Sequence, residues 1–134
     1  MNIFCSYAFT GEDTETINKR MHLVVGALTA QGHNTYCNLF DPVITQLYAN
    51  DDIKGILEDD FRRVLESDCI VAIITSPRRS VGQLMEIGLA LGQKKSVHLF
   101  EHTSAKGSTY LPRLVDTYVT WDSEDDLKAA LQDL

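Results

Sequence analysis

The sequence has few cysteines, few prolines and no long apolar run. Its 134 residues include three cysteines and three prolines. Cys5, Cys37 and Cys69 lack the spacing of metal ligands, and each lies in an apolar or strand-like stretch. We therefore predict buried free thiols in a reducing cytoplasm, and neither a disulfide scaffold nor a metal site. No window is long enough for a membrane span, and the first residues lack the basic start of a signal peptide.

Basic residues are also scarce. Twelve Lys and Arg stand against 19 Asp and Glu, which gives a formal net charge of -7. Binding to nucleic acid or anionic membranes without sequence preference needs basic patches, so these partners are not expected. The four histidines form no metal-like pair, and the chain has neither a Ser-His-Asp order nor a Gly-rich P-loop. No metal or cofactor is predicted, and small molecules or other proteins remain as partners.

The sequence does contain a regular alternation of strand-like and helical segments. Apolar runs predict strands at 3–7, 34–37, 69–75, 97–100 and 118–121. Helical spacing of apolar residues predicts helices over about 14–32, 51–66, 82–92 and 122–131, whereas 38–50 has no clear periodicity and is predicted to be a long loop. With 44% hydrophobic residues, residues 1–134 are expected to fold as a single domain.

This alternation predicts an α/β fold of the flavodoxin-like (Rossmann-like) kind. We expect a three-layer sandwich around a five-stranded parallel sheet with strand order 2-1-3-4-5. With that order the winding of the chain reverses between the first and third strands, which is where such folds bind ligands. The segments 5–11 and 75–82 should therefore form the walls of one pocket. Ser6 and Tyr7 lie in the first segment, and Ser80 and Gly82 lie in the second or at its end.

Glu86 is the most informative residue of the chain. It lies on an apolar segment between Met85 and Ile87, where burying a carboxylate is costly unless the group is paired or has a function. If Gly82 begins the helix, Glu86 lies one turn further on the same face. The free N–H groups of the first turn, together with Ser80, would face a bound anion. A carboxylate beside an anion site suggests a nucleotide.

A second carboxyl group would suit glycosyl transfer. Asp68, at the amino end of the third strand, or Asp60, on the preceding helix, could supply it. Two carboxyl groups that flank a glycosidic bond allow one to attack carbon while the other manages a proton. The alternatives are a solvated Glu86 on an amphipathic helix, an Asp68 that caps a turn or pairs with a nearby arginine, and an Asp60 on the surface.

Two stretches resemble the nucleoside 2-deoxyribosyltransferase superfamily: Asp68-Cys-Ile-Val-Ala-Ile-Ile and Ser80-Val-Gly-Gln-Leu-Met-Glu86-Ile-Gly-Leu-Ala. The second is most similar to the Ser-x-Gly-x-x-x-Glu-Ile-Gly-x-Ala pattern of the branch of nucleoside 5′-monophosphate N-glycosidases. The resemblance implies that Glu86 is the nucleophile and that Asp68 contacts the base and assists its protonation. It also implies that Ser80 binds phosphate, and that Ser108 or Thr109 completes the neighbouring subunit's site in a homodimer.

The amino terminus departs from that superfamily. Ile3 stands where the family usually has a tyrosine, and residues 4–7, Phe-Cys-Ser-Tyr, resemble the opening of a Toll/interleukin-1 receptor domain. The enzymatic members of that second family cleave NAD with a glutamate on a comparable helix. Both resemblances make Glu86 an N-glycosidic nucleophile or charge stabiliser, and the Glu-Ile-Gly-x-Ala pattern favours the transferase superfamily.

The sequence therefore predicts an enzyme that cleaves the base–sugar bond of a nucleoside 5′-monophosphate, or transfers the sugar to another base. The expected catalytic residues are Glu86 and Asp68. The expected substrate-binding residues are Ser6, Tyr7, Ser80, Gly82, Ser108 and Thr109. The alternative is a Toll/interleukin-1 receptor-like domain, either an NAD-cleaving enzyme or a non-catalytic module that senses nucleotides.

Overall fold

Five parallel strands form one sheet in the computed structural model, which describes residues 1–134. The strands are β1 (Asn2–Tyr7), β2 (Asn34–Tyr36), β3 (Cys69–Ile74), β4 (Ser96–His102) and β5 (Thr117–Trp121). The helices are α1 (Thr14–Ala30), α2 (Pro42–Ala49), α3 (Ile53–Glu66), α4 (Val81–Gly92) and α5 (Glu124–Gln132). The strand order is β2-β1-β3-β4-β5, which confirms the predicted topology.

Helices cover both faces of the sheet. Val24 of α1 and Leu127 of α5 pack in one core with alternate residues of the strands, such as Val71. Val64 of α3 and Ile87 of α4 pack in the other. All six residues of β3 are buried, because this central strand has a neighbour on each side and helices above and below.

The predicted loop over 38–50 is wrong, since most of it is helical. A short 3-10 turn covers Asn38–Phe40, and α2 follows at Pro42–Ala49. The Asp41 carboxylate accepts the N–H of Val43 at 3.0 Å, and Pro42 occupies the first turn, where its fixed φ and missing N–H carry no penalty. The Asp-Pro pair is therefore the start signal of a helix that is too short to show clear apolar periodicity.

Side-chain caps set where the helices begin. Asp13, Asp52 and Ser123 cap α1, α3 and α5, so α1 has its cap one residue before the expected Thr14. Ser80 caps α4 by accepting the N–H of Gln83 at 3.3 Å. The helix thus starts one residue earlier than predicted, and its first N–H groups lack an intrahelical acceptor.

The three cysteines are all buried free thiols, as predicted from their apolar surroundings. None of the helices is long and apolar enough to cross a lipid bilayer.

Candidate active site

A cavity of about 160 Å³ lies beside the carboxyl ends of β1 and β3 and the start of α4. It is lined by five of the residues that the sequence analysis selected: Ser6, Tyr7, Ser80, Gly82 and Glu86. This is the point where the winding of the chain reverses, because β1 has β2 on one side and β3 on the other. The topology thus brings the two predicted wall segments together.

Glu86 is buried in the wall of this cavity. It lies in the second turn of α4, and only 6% of its surface is exposed. Ser6, at the end of β1, donates its hydroxyl to Glu86 Oε1 at 2.6 Å. Burial raises the pKa of Glu86 well above its ordinary range, against the smaller opposing effect of the Ser6 hydrogen bond. The interpretation of Glu86 as a solvated helical residue is therefore wrong.

Asp60 is the second carboxyl group of the site. It is 2% exposed on α3 and lines the same cavity as Glu86, so close that each carboxyl group affects the pKa of the other. Burial raises the pKa of Asp60, while Glu86 and the hydrogen bonds from Asn38 act in the opposite direction. Neighbouring carboxyl groups in a buried site disfavour each other's ionisation, so Asp60 and Glu86 titrate as a pair.

Asn38 orients Asp60. It belongs to the 3-10 turn after β2, and its Nδ2 donates to both carboxylate oxygens of Asp60, at 3.0 and 2.9 Å. Its Oδ1 in turn accepts the Tyr7 hydroxyl at 2.6 Å. A hydrogen-bonded chain therefore runs from Tyr7 through Asn38 to Asp60, beside Glu86.

Asn38 is the functional residue that the sequence analysis missed. The available signal was its position directly after β2, because carboxyl ends of parallel strands meet at one edge of the sheet. A loop without periodicity, as predicted over 38–50, does not indicate which of its residues faces the site.

Asp68 does not lie in this site, which corrects the prediction of a catalytic role. It is exposed at the amino end of β3, where it accepts the backbone N–H of Asn2 at 2.7 Å. Ser6, which binds Glu86, pairs with Ala72 of β3, four residues or about 13 Å along the strand from Asp68 at roughly 3.3 Å per residue, and Asp68 does not line the cavity. Asp60, which the sequence analysis also considered as the second carboxyl group, is the residue beside Glu86.

Ser108 and Thr109 lie in the connection between β4 and β5, outside the cavity of their own chain. The Ser108 carbonyl accepts a hydrogen bond from Arg79 Nη2 at 3.2 Å, and Thr109 Oγ1 accepts the N–H of Leu111 at 3.3 Å. Both residues are half-buried. Their contribution to a neighbouring subunit's site stays a prediction.

The arginines before α4 tie loops together. Arg78 donates to the carbonyl of Gly11, and Arg79 donates to that of Ser108. Glu12 accepts the hydroxyl of Ser76 at 3.1 Å. These contacts join the loops after β1, β3 and β4 around the start of α4.

No group of three or more His, Cys, Asp or Glu side chains is arranged to hold a metal ion. The donor set of the cavity is two carboxyl groups with hydroxyl and amide neighbours. Such a set suits proton transfer and nucleophilic attack by a carboxylate.

Comparison with known proteins gives one family and a common fold. A model of the nucleoside 2-deoxyribosyltransferase family matches residues 4–120. The CMP N-glycosidase BcmB of Clostridium botulinum is similar in structure, with a TM-score of 0.70 and 19% identity over 100% of both chains. A conserved protein from Enterococcus faecalis V583 has a TM-score of 0.70 and 20% identity, over 99% of this chain and 98% of that one.

A third similar structure is the 2-deoxyribosyltransferase of Bacillus psychrosaccharolyticus. Its TM-score is 0.65, with 18% identity over 98% of this chain and 96% of that chain. No curated protein sequence matches. At these identities the structural likenesses support the fold, while the family match favours the transferase resemblance over the Toll/interleukin-1 receptor one.

The raised pKa of Glu86 predicts a pH-dependent stability. Between the ordinary carboxyl pKa of 4.5 and the raised value, the folded chain keeps a proton that the unfolded chain has released. The stability linked to this proton is therefore complete below the ordinary value and declines as pH rises. Glu86→Gln preserves the size of the side chain but does not titrate. The free energy of unfolding of this variant, minus that of the wild type, should therefore increase as pH rises.

Urea denaturation of both proteins across a pH series at constant ionic strength measures this difference. Two stability profiles that stay parallel above pH 4.5 would contradict the buried carboxyl pair.

Proposed function

Because the chain belongs to the nucleoside 2-deoxyribosyltransferase family, whose enzymes act on the bond between a base and its sugar, we propose that it cleaves that bond in a nucleoside 5′-monophosphate, or transfers the sugar to another base. The observation that carries the proposal is the buried pair of neighbouring carboxyl groups, Glu86 and Asp60, in the wall of the cavity. The reaction needs a nucleophile and a proton carrier, and the two carboxyl groups can supply one each.

The first half of the reaction forms a glycosyl-enzyme. As substrate binds, Asp60 carries the proton of the pair, and the Glu86 carboxylate attacks C1′ of the sugar. The C1′–N bond breaks, its electron pair stays with the base, and Asp60 passes its proton to the leaving nitrogen. The negative charge of the pair also stabilises the oxocarbenium-like transition state.

The second half releases the sugar. Water, or the nitrogen of another base, attacks C1′ while Asp60 accepts its proton, and the Glu86 carboxylate leaves. Ser6 holds Glu86 through the 2.6 Å hydrogen bond and so keeps the carboxylate aimed into the cavity. Together with Tyr7, it lines the part of the cavity that faces the sugar or the base.

The start of α4 supplies a site for the 5′-phosphate. Ser80 and Gly82 both line the cavity, and the N–H groups of the first turn have no intrahelical acceptor. A helix N-terminus favours negative charge, and the Ser80 hydroxyl adds a further donor. These features support a phosphorylated substrate.

We also propose a homodimer with shared sites. The outward side of α4 carries no charge, and Val81 and Met85 are 72% and 43% exposed there. Ser108 and Thr109 lie outside their own cavity, on a loop that Arg79 holds beside the start of the same helix. Burying this apolar helix face against a second copy would bring the two hydroxyl residues toward a neighbour's cavity.

Replacement of the acid pair tests the proposed reaction. We expect Glu86→Ala to lower base release from nucleoside 5′-monophosphates by about a thousandfold or more, because the nucleophile is lost. Asp60→Asn should lower it by about a hundredfold or more, because the proton carrier is lost. Asp68→Asn is the matched control and should stay within about twofold of the wild type, since Asp68 lies at the opposite sheet edge.

Chromatography of free base after incubation with each monophosphate, and with NAD, gives these rates. If base is released only from NAD, the substrate is NAD and not a nucleoside 5′-monophosphate. Equal traces for the wild type and Glu86→Ala with every substrate would overturn the enzymatic proposal.

Ser80→Asp tests the phosphate site. Aspartate caps a helix as well as serine, so the fold should persist, but its charge opposes a phosphate. The ratio of kcat/KM for a monophosphate to that for its nucleoside should fall by about tenfold or more. Ser80→Ala removes the hydroxyl without adding charge, so its ratio should lie between that of the wild type and that of Ser80→Asp. An unchanged ratio would place the phosphate elsewhere.

Mixed dimers test the shared site. Light scattering should give twice the 15.0 kDa chain mass. Glu86→Ala chains mixed with Ser108→Ala/Thr109→Ala chains should regain about a quarter of wild-type activity, because half of the dimers are mixed and each has one intact site. A monomeric mass, or no gain on mixing, would contradict the shared site.

A further inference from the structure

A second cavity of about 260 Å³ opens directly beside the acid pair. We call it the side chamber. Six of its eight lining residues are hydrophobic, and none carries a charge. It has four residues in common with the first cavity: Tyr7, Phe9, Asn38 and Ile56. The two cavities therefore form one continuous space, with Asp60 and Glu86 lining only the first part.

The side chamber has an aliphatic interior and an aromatic rim. Leu39, Ile44 and Ile56 line its interior. Phe9, after β1, and Tyr48, on α2, stand at the rim, with ring centroids 5.8 Å apart and ring planes 76° apart. The two residues are 37% and 60% exposed, so their rings are accessible to a ligand. Such a surface suits a flat, uncharged aromatic group and disfavours phosphate or sugar hydroxyls.

The polar groups inside the side chamber already have partners, and only the Tyr48 hydroxyl, at the rim, makes no hydrogen bond within the chain. Asn38 accepts from Tyr7 with its oxygen and donates to Asp60 with its nitrogen. The Tyr7 hydroxyl donates its proton to Asn38, and the Thr45 hydroxyl lies 3.4 Å from the Asp41 carbonyl. The chamber thus offers few free donors or acceptors to the edge of a bound base.

We propose that the side chamber is the subsite for the leaving base, and that it selects bases by stacking and apolar contact rather than by hydrogen bonds to their edges. The substrate class is then a nucleotide with a bulky or weakly polar heteroaromatic base. This inference rests on the proposed function, since Asp60 must protonate the base that the chamber holds. Asn38 connects the two events, because it lines the chamber and hydrogen-bonds to Asp60.

A nucleotide whose base has no hydrogen-bond donors on its edge tests whether the chamber selects bases by stacking. Glu86→Gln, which binds without attacking, is titrated calorimetrically with adenosine 5′-monophosphate, the matching benzimidazole ribonucleotide and ribose 5-phosphate. The benzimidazole nucleotide should bind within about tenfold of the adenine nucleotide, because stacking area is kept while edge groups are lost. A site that reads base edges rejects an analogue without them by about ten-thousandfold. A loss of more than about tenfold would overturn the selection rule.

Replacement of the aromatic residues at the rim tests whether the base binds in the side chamber. In the same Glu86→Gln background, Phe9→Ala and Tyr48→Ala should each weaken nucleotide binding by about fivefold or more, the usual loss for a base-stacking ring. Binding of ribose 5-phosphate should not change, which also reports an intact fold. Tyr48→Phe should retain affinity. Val43→Ala is the matched control on α2, because Val43 is 61% exposed and does not line the chamber.

The failure of this inference differs from that of the proposed function. If base release depends on Glu86 but both rim variants bind nucleotides as tightly as the control, the chamber is not the base subsite. If no nucleotide releases its base, the proposed reaction fails, whatever the rim variants show.

Discussion

The proximity of the buried carboxyl groups of Glu86 and Asp60 is the constraint on which the rest of the site depends. Two acids removed from water repel one another when both are ionised, and each alone disfavours its charge. The protein stabilises the pair with neutral donors: the Ser6 hydroxyl on Glu86 and the Asn38 amide on Asp60. None of the 14 residues lining the cavity is Lys or Arg, so no cation neutralises the pair. In the proposed reaction, the negative charge that remains on the pair stabilises the positively charged transition state.

The sheet order makes this proximity possible. Ser6 comes from β1, Asn38 from the turn after β2, Asp60 from α3 and Glu86 from α4. These elements meet only where β1 lies between β2 and β3. The same meeting point leaves α2 beside the loop after β1, which creates the side chamber. Catalytic and binding surfaces thus follow from one topological feature.

The sequence allowed much of the fold and part of the site to be predicted. The strand order and Glu86 followed from alternating patterns and from a lone acid on an apolar helix. Ile3 is buried where the family usually has a tyrosine, and Ser6 makes the hydrogen bond to Glu86. The resemblance implied a catalytic role for Asp68, yet its carboxylate accepts the backbone N–H of Asn2 at the amino end of β3. The site forms at the carboxyl ends of the strands, which an acid at the amino end of a strand does not reach.

The sequence by itself determined the local features: the alternation of strands and helices, the buried run of β3 and the apolar segment on which Glu86 lies. These depend on neighbours along the chain, through periodicity. Only the tertiary structure decided that Asp60 lies beside Glu86, that Asn38 orients Asp60, and that Phe9 and Tyr48 meet edge to face at the rim of an apolar chamber. These contacts join residues that are distant in sequence, and they exist because helix packing and strand order bring separate elements to one edge of the sheet.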